Sequence, residues 1–262
     1  MKNPRISVLL PIKDGKVSKI FPALDSIRNQ IFKDFECLVL DDSVDSNIIN
    51  FLRDYCNHDK RFSYIRSNSN NIPEALNYGI QKSNGEFIAR ADSTDICKTN
   101  RFLVQVNFLD NNRNIDVIGS NVKDKNSNRE QVIYFPEHHK DIVKGFKIKN
   151  SMSHPTVMFR KRIIDKGYAY DEKFPYCEDL ELWLRLISAG FKFYNIQQCL
   201  VDYEQPSHRP FMNYLYNIKA RISISKSPKV FFTAIMTITF AVLPAKIRFF
   251  LNKVYAGMIK NN

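Results

Sequence analysis

Short apolar runs, each closed by a polar turn and followed by a stretch with helical spacing, recur through the first half of the chain. Residues 6–10, 35–40, 62–65, 86–91 and 116–119 are rich in Val, Ile, Leu and Phe, which predicts five strands. Residues 17–30, a segment opening at Ser46, 73–82 and 100–109 carry apolar side chains every three or four positions and predict helices. Ile20, Phe21, Leu24 and Ile27 share one face of the first; Ile48, Ile49 and Leu52 share one face of the second, with Ser46 placed to cap it. The alternation implies an α/β fold class with right-handed crossovers between parallel strands. Carboxylates stand where several strands end: Asp14 after the first, Asp41 and Asp42 after the second, Asp92 and Asp95 after the fourth. Ligands bind along that edge of an open α/β sheet.

The second half is less regular. KDKNSNRE reads as a loop, residues 138–149 as a helix with His138 and His139 exposed, and 156–159 as an apolar run behind His154 and Pro155. The acidic turn YDEKFPYCED opens a helix carrying Leu180, Leu182, Leu184 and Leu186. Glu178 and Asp179 fall in its first turn, where free amides and the helix dipole favour carboxylates; Trp183 and Arg185 read as packing and surface residues.

Composition narrows the function classes. With 262 residues and 44% hydrophobic content, the chain has apolar area for one large α/β domain or a domain with an appended piece. Five cysteines without a CxxC pair read as reduced structural thiols and not as a zinc site. The 8 glycines form neither GxGxxG nor GxxxxGK[ST], so neither a dinucleotide fold nor a P-loop is supported. A phosphate-bearing ligand then needs another clamp, and closely spaced carboxylates holding a divalent cation would supply one. The N-terminal MKNPRISVLLPIKDG reads as a first strand and not as a signal peptide, so the chain is expected on the cytoplasmic side.

The net charge of +12 is unevenly placed: beyond Glu204 come nine Lys and Arg and no Asp or Glu. Within that tail, residues 230–245 are uncharged and bracketed by Lys229 and Lys246, too short for the roughly 20 residues of a membrane span. The following KIRFFLNKVYAGMIK mixes cations with bulky apolar residues, which fits an in-plane amphipathic anchor on anionic lipid; the alternative is a buried core helix. No repeated basic stripe or glycine-aromatic motif points to nucleic acid.

Taken together, ISVLLPIKDG, FECLVLDDSVD, NIPEALNYGIQKSNGEFIARADSTDI, SHPTVMFRK and YCEDLELWLRLISAG resemble the family 2 glycosyltransferases of the GT-A fold, particularly bacterial enzymes of O-antigen and exopolysaccharide assembly. The resemblance covers residues 5–204 and implies a mixed, mainly parallel sheet flanked by helices. It implies a catalytic domain over 1–208, divided near 122 into nucleotide-sugar and acceptor halves, to which the charge pattern adds the basic amphipathic helical tail over 209–262. By resemblance, Pro11 and Asp42 hold the uridine and Asp92 lies by the ribose and diphosphate, with Asp14, Asn77 and Arg90 completing the donor site. Asp179 is the general base and Glu178 its neighbour. The implied reaction is inverting transfer of a hexose, from UDP-galactose or UDP-glucose, to a polyprenyl-diphosphate-linked saccharide at the cytoplasmic face of the bacterial inner membrane. The implied cofactor is Mn²⁺ or Mg²⁺ on Asp92 and Asp95. The chain departs from the family's DADD or DSDD at Thr94, where a carboxylate often serves the metal, so His154 or His208 is a candidate to complete the sphere. Glu204 in VDYEQ departs from a usual Tyr-Arg pair. A nucleotidyltransferase or a non-catalytic nucleotide-binding scaffold at the membrane are the competing readings; PIKDGKVSK is a poor match to the phosphate loop of the former.

Overall fold

The computed structural model describes residues 3–125, 131–147, 149–205 and 210–224. The chain begins β1 (Ile6–Ile12), α1 (Val17–Arg28), β2 (Phe35–Asp41), α2 (Ser46–Asn57), β3 (Phe62–Arg66), α3 (Ile72–Lys82) and β4 (Phe87–Arg90). It continues with β5 (Ile96–Cys97), α4 (Arg101–Asn111), β6 (Val117–Asp124), β7 (Val132–Ile133), α5 (His139–Phe146), a 3₁₀ turn at His154–Thr156 and β8 (Met158–Arg160). The last described elements are α6 (Arg162–Asp165), α7 (Glu178–Ser188), β9 (Phe193–Tyr203) and α8 (Phe211–Ile224).

Among the described residues one nine-stranded sheet runs β3-β2-β1-β4-β8-β6-β9-β5, with β7 paired to β6. β1 pairs in parallel with β2 and β4, and β2 with β3. β8 enters antiparallel between β4 and β6, and β6 and β9 are parallel again. This is the mixed α/β sheet expected. Its central strands are nearly continuous apolar runs because both faces are covered, as parallel strands require. One face packs Leu24, Ile27, Leu52, Phe102 and Val106; the other packs Leu76, Ile80, Phe146, Trp183 and Leu186. Strand order reverses between β1 and β4, and at such a switch point the connections diverge and leave a crevice at the carboxyl ends of the strands.

Several local expectations change. The cap of α2 is Asp45, whose carboxylate accepts from Asn47 N, so Ser46 is already the first helical residue. The run at 116–119 is not the fifth strand but the start of the longer β6; the two-residue β5 precedes it and is too short for periodicity to mark. His139 is half-buried, stacked on Phe193 at 6.1 Å, whereas His138 is exposed. Arg185 is not a free surface cation: it holds Glu181 at 2.5 Å and donates to Ala169 O.

The first part of the basic tail is α8, and it packs against α7. Ala220 is fully buried and Arg221 is 5% exposed, donating through Nη1 to Phe146 O. Arg221 therefore belongs to the core edge and is not among the cations free to meet lipid. Phe211, Met212 and Leu215 remain exposed on α8. No helix among the described residues is long and apolar enough to cross a membrane. The uncharged stretch 230–245, the basic segment after it, and His208 lie outside the described residues.

Candidate active site

A cleft of about 490 Å³ opens at the carboxyl ends of β1, β2 and β4. Pro11, Lys13, Asp42, Arg90, Asp92 and Thr94 line it from the strand side. Asn71, Ile72 and Ala75 bring the start of α3 to it, and Pro175 and Tyr176 bring the segment leading into α7. Asn71 caps α3 by accepting from Glu74 N at 3.0 Å, while Glu74 reaches back to Asn70 N at 2.8 Å, a reciprocal cap that fixes this wall.

Four of the six residues expected at the donor site line the cleft, and two act behind it. Asp42 Oδ1 accepts from Ser69 N at 2.7 Å, which ties the end of β2 to the loop before α3. Asp14 stands in the left-handed region (φ 53°), which Asp tolerates better than most residues. Its Oδ1 accepts from Val44 N and Asp45 N, at 2.8 and 3.1 Å, clipping the loop after β1 to the loop after β2. Those two donors hold its carboxyl below the usual range. Asn77 grips the backbone of Tyr170, donating to its carbonyl at 2.9 Å and accepting from its N–H at 3.1 Å. Both shape the cleft without lining it.

Arg90 is 4% exposed. Its Nη1 donates to Ala91 O and its Nη2 lies 2.5 Å from Asp92 Oδ1, while its buried Nε has no partner among the described residues. Asp95 turns away from the cleft: Oδ1 accepts from Glu204 N at 2.8 Å, and Oδ2 is buried and unpartnered. Burial first, and the Asp92 charge second, push its carboxyl up to about 7. Glu204 itself meets Lys19 at 2.5 Å.

The expected metal positions do not converge. Asp92 alone among the described ones reaches the cleft and is already paired with a guanidinium; Thr94 offers a hydroxyl; Asp95 is turned inward. His154 belongs to another cluster, with Nε2 2.9 Å from the Tyr170 hydroxyl and Nδ1 3.6 Å from Glu178 Oε1. No three His, Cys, Asp or Glu side chains gather to hold a metal ion among the described residues. Of the expected ligands among the described residues, the chain offers a divalent ion one cleft carboxylate, already paired with Arg90, which does not fit a site made of protein ligands alone.

Opposite the strand ends stands the start of α7. Cys177, at φ 58°, turns the chain into the helix, and Glu178 and Asp179 follow in the first turn. Asn150 Nδ2 donates to Asp179 Oδ2 at 2.7 Å, a positioning contact between segments 29 positions apart in sequence. The buried Tyr170 hydroxyl meets His154 Nε2 at 2.9 Å, and His154 Nδ1 lies 3.6 Å from Glu178 Oε1, which ties Tyr170 to the start of α7. Burial holds that hydroxyl well above its ordinary titration range.

The sequence model described as Glycosyl transferase family 2 matches residues 7–167. The chain belongs to that family. It is 32% identical over 186 residues to the O-antigen biosynthesis glycosyltransferase WbnJ of Escherichia coli, covering 69% of this chain and 72% of the relative. It is 29% identical over 204 residues to an Escherichia coli UDP-Gal:alpha-D-GlcNAc-diphosphoundecaprenol beta-1,3-galactosyltransferase, covering 76% and 74%. Among solved structures, Staphylococcus aureus TarS 1-349 in complex with UDP-GlcNAc matches with a TM-score of 0.65 at 17% identity over 85% of this chain and 68% of that one. Of a longer TarS chain the match spans 40%. The mannosyltransferase PcManGT of Pyrobaculum calidifontis, in complex with GDP-Man and Mn²⁺, matches with a TM-score of 0.65 at 12% identity over 92% and 70%. The fold of this glycosyltransferase is thus GT-A, and its relatives include bacterial O-antigen enzymes.

Proposed function

We propose that this glycosyltransferase moves a hexose, with inversion, from UDP-galactose or UDP-glucose to a lipid-diphosphate-linked sugar at the cytoplasmic face of the membrane. The observation that carries the reading is the cleft at the strand ends, lined by Pro11, Asp42, Arg90 and Asp92, whose wall at Pro175 and Tyr176 leads directly into Glu178 and Asp179 at the start of α7. Direct displacement at an anomeric carbon needs those two sides: charge to receive the departing diphosphate, and a base for the incoming hydroxyl.

In this reading Pro11 and Asp42 hold the nucleoside and Arg90 and Asp92 face the ribose and diphosphate, with Asp14 and Asn77 fixing the surrounding loops. The acceptor oxygen attacks the anomeric carbon as the bond to the diphosphate oxygen breaks; the electron pair leaves with the nucleoside diphosphate and the hydroxyl proton passes to Asp179. The dipole at the start of α7 favours the ionised carboxylate that this role needs. Glu178, the neighbour of Asp179, lies 3.6 Å from His154 Nδ1. The galactosyltransferase relative, named for UDP-Gal and a diphosphoundecaprenol acceptor, supports the donor and the acceptor class. The exposed apolar side chains of α8 and the basic composition beyond residue 225 support peripheral attachment of the 209–262 segment to anionic lipid.

The test is Asp179→Asn. Transfer should fall by about 10²- to 10⁴-fold, the usual contribution of a general base, while UDP binding measured by calorimetry stays as in the native chain. Undiminished transfer would refute the assignment of the base. A folded native chain that binds no nucleoside diphosphate would refute the reading altogether.

A further inference from the structure

We infer that this chain receives the donor diphosphate on its own cations, Lys13 after β1 and Arg90 at the end of β4, beside the start of α3, and that its nucleotide binding does not depend on a divalent ion. The inference rests on the nucleotide-sugar reading above and departs from the cation use that composition and resemblance suggested.

Three observations converge. The first is the donor set: Asp92 is the cleft carboxylate at the end of β4, and its Oδ1 lies 2.5 Å from Arg90 Nη2. A dication on that oxygen would have to share it with a buried guanidinium or displace it. Asp95 cannot assist from where it stands, because Glu204 N holds one oxygen and the other is enclosed. Thr94, which lines the cleft between them in sequence, brings no charge.

The second is unspent donor capacity. Arg90 lines the cleft, is 4% exposed, and keeps a buried Nε with no partner among the described residues. A buried donor left unmet costs free energy, so a small movement of the cleft-lining guanidinium toward a phosphate oxygen would be favoured by the charge-assisted bond it gains. Lys13 follows β1 directly, is exposed at the cleft, and its ammonium has no hydrogen bond or ion pair among the described residues. The third is the wall formed by α3. Its first residues reach the cleft, and an 11-residue helix presents positive partial charge there. Arg90 shares its charge with Asp92, so Lys13 and the helix terminus are the positive charge left for a diphosphate, with the guanidinium as its further donor.

The experiment is calorimetric titration of the full chain with UDP, GDP and TDP, in EDTA and again in excess Mn²⁺. Three proteins are compared: native, Lys13→Ala and Thr94→Asp. Lys13 is exposed, so its replacement leaves folding intact. The native chain should bind its preferred nucleotide with affinities within about threefold in the two buffers, and Lys13→Ala should weaken binding in EDTA by about tenfold, the loss of one charged contact. Thr94→Asp, which restores a carboxylate to the cleft, should gain Mn²⁺-dependent tightening of about tenfold or more. Native binding that tightens more than about threefold with Mn²⁺ would overturn the inference, as would a Lys13→Ala chain that binds like the native one. A Thr94→Asp chain indifferent to Mn²⁺ would overturn the assignment of Thr94 as the cause. Binding of no nucleotide in either buffer is the separate result that removes the nucleotide-sugar reading and this inference with it.

Discussion

Asn150 is the contact through which the proposed base can be tested without touching the base itself. Its Nδ2 donates to Asp179 Oδ2 at 2.7 Å, and its own Oδ1 accepts from Met152 N at 3.3 Å, so the amide is held by the backbone while it holds the carboxylate. With one oxygen fixed, the other is presented in a single orientation. A hydrogen bond to a charged group contributes about 1.5–3 kcal/mol. If that orientation is what the transition state uses, Asn150→Ala should lower kcat by about 10- to 150-fold. UDP affinity should stay within about twofold, because the strand-end cleft is untouched. The control that separates positioning from simple loss of structure is the double-mutant cycle. In an Asp179→Asn background, where the base is already gone, Asn150→Ala should cost less than about twofold more. An equal loss in both backgrounds would mean that Asn150 supports the fold and not the base, and an unchanged kcat in the single variant would refute the argument outright. Asn150→Asp should be worse than Asn150→Ala, since it sets a second carboxylate against the first.

Other outcomes follow from the same structure. In Gly85→Ala the new Cβ would meet Ser7 N at 2.4 Å and Ile6 C at 2.6 Å, both backbone of β1, so the cost should reach about 3 kcal/mol; an unaltered thermal midpoint would contradict that packing. Asp41 is fully buried and accepts from Tyr64 Oη at 2.7 Å, Arg66 Nη1 at 3.0 Å and Ser43 N at 2.9 Å. Asp41→Ala should therefore destabilise by about 2–3 kcal/mol in denaturant unfolding, below the value for a fully enclosed pair because Arg66 reaches solvent. A chain ending at residue 224 keeps α8 against α7 and should bind UDP as before while losing sedimentation with anionic vesicles; retained sedimentation would place the membrane contact on the catalytic body.

What was legible in the sequence divides along a physical line. The donor half was readable because β1, β2 and β4 are apolar runs covered on both faces, and because a carboxylate at the end of each falls, by the topology of crossovers, on one edge of the sheet. β5, β7 and β8 have two or three residues each and carry no period to detect. Contacts between distant segments leave no local mark either: Asn150 reaches Asp179, Tyr170 is held by Asn77 from 93 positions away, and nothing in the runs around them signals the pairing. Motif matching placed Asp14 and Asn77 near the ligand, and both do sit by the cleft, yet their side chains are committed to loops, because a position kept for shaping a site looks in sequence like one kept for touching the ligand. Lys13 shows the converse. One lysine among many has no pattern to distinguish it, and only the cleft, with Arg90 buried beside a carboxylate and Thr94 where a carboxylate was expected, gives it a role.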